Sequence, residues 1–205
     1  MNSLNKMSNS TKLIAGAIIL ALFGAFIVGV TALGSYNSLA NGKNSVEKSW
    51  SDIDTAYQRR ADLIPNLVAV AEKAAVSEKE ILQGVIEARS KATSANIPVG
   101  DTEGLSESQG EVSSALSRLL AVTEAYPALQ SNQNWLDLQA QIEGTENRIF
   151  TARRDYNDTA EKYNSKVVGI PSGVFAGVFG FEKESYFKAD NGASTAPKIT
   201  FDKKD

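Results

Sequence analysis

The sequence predicts an all-α fold: an N-terminal transmembrane helix that runs on into an antiparallel bundle of about four long helices. Three observations carry this prediction. An uncharged apolar run occupies residues 13–33, apolar residues recur at helical spacing through most of the remaining chain, and no strand alternation of useful length is present.

The run LIAGAIILALFGAFIVGVTAL at 13–33 is long enough, at roughly 1.5 Å per residue, to cross a hydrocarbon core of about 30 Å. Lys6 and Lys12 precede it with no acid among residues 1–12, so residues 1–12 are expected to be a short cytoplasmic N-terminus, with the bundle on the far side. Lys43 and Lys48 come after the run and weaken that asymmetry. A cleaved signal peptide is the rival reading, because Ala32-Leu33-Gly34 before Ser35 resembles a small-residue cleavage site. The apolar stretch exceeds the usual core of about 7–15 residues, which favours an uncleaved, single-pass anchor. Ala17, Ala21, Ala25 and Gly29 recur every four residues and form a smooth strip, a candidate packing face for self-association or for another membrane helix; such residues are also common in membrane helices generally.

Beyond Gly34 the period persists. Leu39, Val46, Trp50, Ile53, Tyr57, Ile64 and Leu67 fit steps of three and four, so the anchor is expected to continue as a stalk. Ser77 to Glu80 reads as a capping box opening a helix through Ile81, Val85, Ala88 and Ala92, and 95–104 reads as a loop. Ser106 to Gln109 reads as a second capping box, opening a helix with Val112, Leu116, Leu119 and Thr123 inward and closed by Pro127. The last helix shows the clearest seam: Trp135, Leu138, Ile142, Thr145, Ile149, Ala152, Tyr156, Thr159, Tyr163 and Val167. The expected organisation is therefore an N-terminus at 1–12, a span at 13–33, a bundle at 34–169, an apolar aromatic end segment at 170–188 and a mobile tail at 189–205.

Composition excludes much chemistry. The chain has no cysteine and no histidine. Disulfides, thiol nucleophiles, lipoprotein attachment, imidazole bases and imidazole metal ligands are removed together, and no metal or other cofactor is implied. A net charge of −3 argues against nucleic acid as a partner. Ser, Thr, Lys, Tyr and carboxylates remain, but nothing in their pattern locates a cleft, a small-molecule substrate or a catalytic residue.

The stretch RRADLIPNLV at 59–68 breaks helical convention. Pro65 cannot donate to the carbonyl of Ala61, and it biases Ile64 away from helical geometry. The helix either kinks here or restarts with Asp62 as N-cap. Arg60 falls on the seam, three residues after Tyr57 and four before Ile64, and needs an acceptor. In an antiparallel register, residue numbers on the first and last helices sum to about 204. That register sets Arg59 and Arg60 opposite Glu143 and Glu146, and Arg153 and Arg154 opposite Glu47, Trp50 and Asp54. With Asp62, Asn66, Tyr156 and Asn157, these residues read as a structural polar network fixing helix register.

Four helices in alternating directions bring residue 168 back near residue 36. The chain then continues as IPSGVFAGVFGF at 170–181, with Tyr186 and Phe187 a few residues further on. Phe175, Val178, Phe179, Phe181, Tyr186 and Phe187 are candidates for contact with the membrane interface or with a partner; the alternative is that this segment plugs the open end of the bundle.

Three stretches, SWSDIDTAYQRRADLIPNLV (49–68), ENRIFTARRDYNDTAEKYN (146–164) and IPSGVFAGVFGF (170–181), closely resemble LemA family proteins of bacteria. The resemblance covers roughly 35–187. It departs from the family pattern at Ile170, where phenylalanine is usual before the proline, and at Gly173 and Phe175, where polar or aliphatic residues are usual; both bear on how the end segment seats. The resemblance implies an all-helical protein of a bacterial membrane, here taken as the inner membrane, and no catalytic residues. Related proteins are linked to membrane-associated organisation, including organelle biogenesis. The matched positions, Trp50, Asp52, Asp54, Arg59, Arg60, Asp62, Pro65, Asn66, Arg153, Arg154, Tyr156, Asn157, Tyr163 and Asn164, then form a structural signature. The expected function is a non-enzymatic scaffold or adaptor docking another membrane protein. A lipid-binding protein acting through its aromatic segment is the alternative, and an enzyme using Lys, Tyr and carboxylates is the least favoured reading.

Overall fold

The structure, a computed structural model, describes residues 9–74 and 76–188. Of the expected cytoplasmic stretch 1–12, residues 1–8 lie outside the described residues, as does the expected tail at 189–205; Asn9–Lys12 already belong to the first helix. Among the described residues six helices are present: α1 (Asn9–Lys73), α2 (Lys79–Ser94), α3 (Thr102–Thr123), α4 (Pro127–Gln130), α5 (Gln133–Val168) and α6 (Ser172–Phe179). Among the described residues there is no strand. The chain divides into two compact units, one of residues up to Ser51 with Asp158–Glu184, the other of Asp52–Asn157 with residues from Ser185 on.

In the first unit α1 and α5 are antiparallel, as the contacts Lys166 Nζ to Ser38 O (3.4 Å) and Ser49 Oγ to Thr159 Oγ1 (3.2 Å) require. Leu39, Val46, Trp50, Ala160 and Tyr163 are buried here. Gly42 makes the close approach possible: a Cβ at that position would stand 2.9 Å from the Tyr163 ring. The length of α1 is set by its sequence. The apolar run passes into the seam without Gly-Pro punctuation, so no turn separates the stretch at 13–33 from the stalk. Among the described residues α1 alone is long and apolar enough to cross a membrane, and its apolar window is wholly uncovered by protein.

In the second unit the core is Ile64, Leu67, Val68, Val85, Leu116, Leu119, Leu129 and Trp135 with their neighbours. The seam positions read from the sequence supply it, because apolar side chains at steps of three and four share one helix face. Pro65 lies inside α1, which continues to Lys73; the helix does not restart at Asp62.

Both expected capping boxes are replaced. The N-cap of α2 is Glu78, without a side-chain cap bond. Ser77 turns instead to Tyr126, whose hydroxyl accepts from the Ser77 N–H (3.1 Å) and lies 2.8 Å from its Oγ. Helix α3 begins four residues before the expected Ser106, capped by Asp101 Oδ1 accepting from Gly104 N–H at 2.9 Å. Ser106 Oγ donates back to Thr102 O (2.7 Å) inside that helix. Asp101 wins because it caps one turn earlier and lets Leu105 enter the buried face. Pro127 opens the short α4 at its first position rather than only closing α3.

Candidate functional site

Two places gather the sequence-predicted residues. The first is built on α6, whose segment SGVFAGVF carries no charge. It ends at Gly180, where φ is +73° and the N–H donates to Ala176 O. A side chain at Gly173 would meet the backbone of Val167 and Val168 at 2.9–3.0 Å, so glycine lets α6 fold back tightly after α5. Ala176 faces inward. Val174 and Val178, 67% and 78% exposed and four residues apart on α6, share one apolar face, and Ile170, 90% exposed, lies in the turn that precedes the helix. Phe175 stacks on Phe179 (centroids 6.1 Å apart). Phe179 and Phe181 set their rings against Tyr36, at 5.3 and 5.8 Å. Tyr36 is three residues past Leu33, the last residue of the apolar run, so the patch begins within about one helical turn of that run.

The rest of the end segment behaves differently. From Phe181 to Lys188 the chain is without regular structure and is gripped by two asparagines of α5. In the first unit Asn164 donates to Glu184 O (2.9 Å) and accepts from Glu184 N–H (2.8 Å); Lys43 pairs with the Glu184 carboxylate. In the second unit Asn157 does the same for Phe187, both bonds 2.9 Å long. Phe187 is buried, edge-on to Tyr156 at 5.3 Å and under the Arg153 guanidinium at 4.9 Å. Arg153 also donates to Lys188 O (3.1 Å), and Thr102 Oγ1 to Tyr186 O (3.2 Å). The expectation that Phe187 offers a membrane contact is thereby corrected: it is a core residue. Tyr186, 43% exposed, stays at the surface.

The second place surrounds RRADLIPNLV. Arg60 is 1% exposed. Its Nη1 donates to Glu146 Oε1 (2.7 Å) and Ser113 Oγ (2.9 Å), and its Nη2 to Gln109 Oε1 (2.6 Å) and Gln109 O (3.2 Å). Its guanidinium lies over the Tyr57 ring. The carbonyl of Ala61, which Pro65 cannot serve, accepts from Arg89 Nε at 2.6 Å. Sequence reasoning misses Arg89, Gln109 and Ser113; the deprived carbonyl is the signal that a donor has to come from elsewhere.

Five residues expected in the interior network lie outside it. Arg59 and Asn66 are exposed, as is Asp62, which accepts from Gln58. Arg154 is exposed and its contact is with its neighbour Asp155 (3.4 Å). Glu143, the second expected partner, is exposed and accepts from Gln139. The reason is angular: a helix advances about 100° per residue, so only one of two adjacent arginines can face inward. The strip Ala17, Ala21, Ala25 and Gly29 is exposed on α1.

Two titratable groups are displaced, each by a structural neighbour. Tyr126 donates to Glu78 Oε2 (2.7 Å) and holds that carboxyl below its ordinary range. Burial raises Tyr163, with Glu184 and Glu182 adding to the effect. Among the described residues no group of three or more acids is placed to hold a metal ion.

A model of the LemA family matches residues 49–201, a stretch that takes in both the Arg60 network and α6. The chain belongs to the LemA family. Among its LemA-like relatives, it is 28% identical over 198 residues to magnetosome protein MamQ 2 of Paramagnetospirillum magneticum, covering 86% of this chain and 72% of that protein. It is 26% identical over 198 residues to magnetosome protein MamQ of Magnetospirillum gryphiswaldense, with the same coverage. It is 27% identical over 149 residues to protein LemA of Metamycoplasma hominis, covering 71% of this chain and 67% of that one. All-α architecture and an apolar N-terminal helix thus accompany LemA membership; none of these names is that of an enzyme.

Proposed function

We propose that this LemA-family chain is a non-enzymatic, membrane-anchored scaffold that meets the bilayer twice, through residues 13–33 of α1 and through α6. The observation that carries the reading is the packing of Phe179 and Phe181 on Tyr36. It holds α6, with Val174 and Val178 exposed, beside the point where α1 leaves the apolar run. Aromatic and aliphatic groups at that level suit the headgroup boundary. The bundle at 34–169 then stands on the membrane on the side opposite the N-terminus, in the inner membrane, and presents its surface to a membrane protein partner. Similarity to proteins named for the magnetosome supports a role in holding a bacterial assembly together.

The chain has no cysteine, so single cysteines can report position. A polarity-sensitive dye on Val178→Cys or Val174→Cys should shift to the blue in proteoliposomes of the full chain, relative to the same dye on Ser117→Cys. A water-like spectrum at 174 and 178 in lipid would remove α6 from the membrane, and cross-linking from those positions would then look for a protein covering that face.

A further inference from the structure

In the second unit a cavity of about 240 Å³ opens beside RRADLIPNLV, walled by Arg60, Arg89, Gln109, Thr93, Asn96 and Asp54 among others. Its polar groups are unevenly matched. The Nε–H of Arg60 is buried and has no acceptor among the described residues. Arg89, half-buried in the wall, gives its Nε–H to Ala61 O, and that bond does not use its two terminal NH2 groups. Gln109 offers its carbonyl oxygen to Arg60, which leaves its amide NH2 for other use. One buried donor beside this space, Arg60 Nε–H, is therefore left without an acceptor, and such a donor is costly.

We propose that this cavity binds a small monocarboxylate, held in the terminal fork of Arg89 and reached by Arg60 Nε–H. Three features fix the class. Two parallel N–H groups of a guanidinium match the two oxygens of a carboxylate. The charge of Arg60 is already met by Glu146, while the Arg89 guanidinium stands in the same wall and supplies one positive charge for one carboxylate. The volume is below the roughly 300 Å³ at which drug-sized sites begin and holds about eight waters at roughly 30 Å³ each; it suits a short organic acid.

The test uses the full chain in detergent and sodium butyrate as the probe, with chloride at equal ionic strength as reference and inorganic phosphate as competitor class. Butyrate should raise the unfolding temperature, followed by Trp50 and Trp135 fluorescence, saturably and beyond chloride. Removing Arg89 alone would also strip Ala61 O of its donor. Pro65→Ala restores a backbone N–H to that carbonyl, so the decisive comparison is Pro65→Ala against Pro65→Ala/Arg89→Gln. The first should keep the butyrate effect; the second should fold and bind at least about tenfold more weakly, the equivalent of one charge-assisted hydrogen bond. No saturable butyrate effect, a response to phosphate but not to butyrate, or an undiminished response in the double variant would each overturn the proposal.

Discussion

Arg89 Nε lies 2.6 Å from the carbonyl oxygen of Ala61, the backbone acceptor that Pro65 leaves without its helical N–H. A side chain from α2 thus completes the hydrogen bonding of α1 at the point where its sequence breaks it. Proline in a helix interior costs about 3 kcal/mol when nothing compensates; here the deprived carbonyl has a charged donor.

The pairing predicts coupling between positions 65 and 89. Arg89→Ala should cost about 1–3 kcal/mol by leaving the carbonyl poorly served, and less than half as much in a Pro65→Ala background. A double-mutant cycle by chemical unfolding in mild detergent measures this. Equal costs in both backgrounds would show that Arg89 contributes nothing through Ala61.

Arg60 and Glu146 should respond unequally. The Arg60 side chain is 2% exposed and that of Glu146 43%, so the acid can return to water while the guanidinium cannot. Arg60→Ala is expected to cost about 2–4 kcal/mol through its void and its abandoned partners Ser113 and Gln109. Arg60→Met, which fills the volume but abandons the same partners, should cost clearly less than Arg60→Ala, and Glu146→Gln should stay within about 1 kcal/mol of the parent. A loss on Arg60→Met as large as on Arg60→Ala would show that the charge itself is required.

The asparagines of α5 should govern local opening. Asn157→Ala removes both bonds to Phe187, so amide exchange there is expected to quicken by about ten- to a hundredfold, corresponding to about 1–3 kcal/mol. Asn164→Ala should do the same at Glu184. Unchanged exchange would mean that Phe187 is retained by its ring contacts alone.

Stability should fall at both extremes of pH, for opposite reasons. Folding raises Tyr163 above its ordinary value of 10.0, so the folded state holds that proton more tightly. Its contribution is complete below pH 10.0 and is lost as pH climbs through the folded value. Folding lowers Glu78 below 4.5, so its contribution is complete above pH 4.5 and is lost as pH drops through the folded value. Tyr163→Phe should flatten the alkaline limb of a thermal-unfolding profile and Tyr126→Phe the acid limb. Limbs unaltered by these changes would assign them to other groups.

How far the molecule can be read from its residues depends on the range of the contact. The α5 seam from Trp135 to Tyr163 and the Arg60–Glu146 register are periodic, and period alone places them. The caps mislead because Ser77 and Ser106 carry the right local pattern, while the choice of Glu78 and Asp101 turns on Tyr126 and Leu105, the former 48 residues from the cap it engages. Pro65 signals a deficit, yet its remedy comes from residue 89, and nothing in the spacing of α2 singles out that arginine. The 170–188 stretch reads as one segment because aromatic residues run through both α6 and the chain after Gly180, although Glu182, Lys183, Glu184 and Lys188 already set the latter apart. What separates them in the fold is that Asn157 and Asn164 face one and not the other.

Those two asparagines also bear on how this stretch can change over time. Each grips a backbone N–H and C=O, groups that every residue but proline carries whole. Substitutions at the exposed positions 185 and 186 can therefore drift, while the backbone on either side stays held by the asparagines that read it.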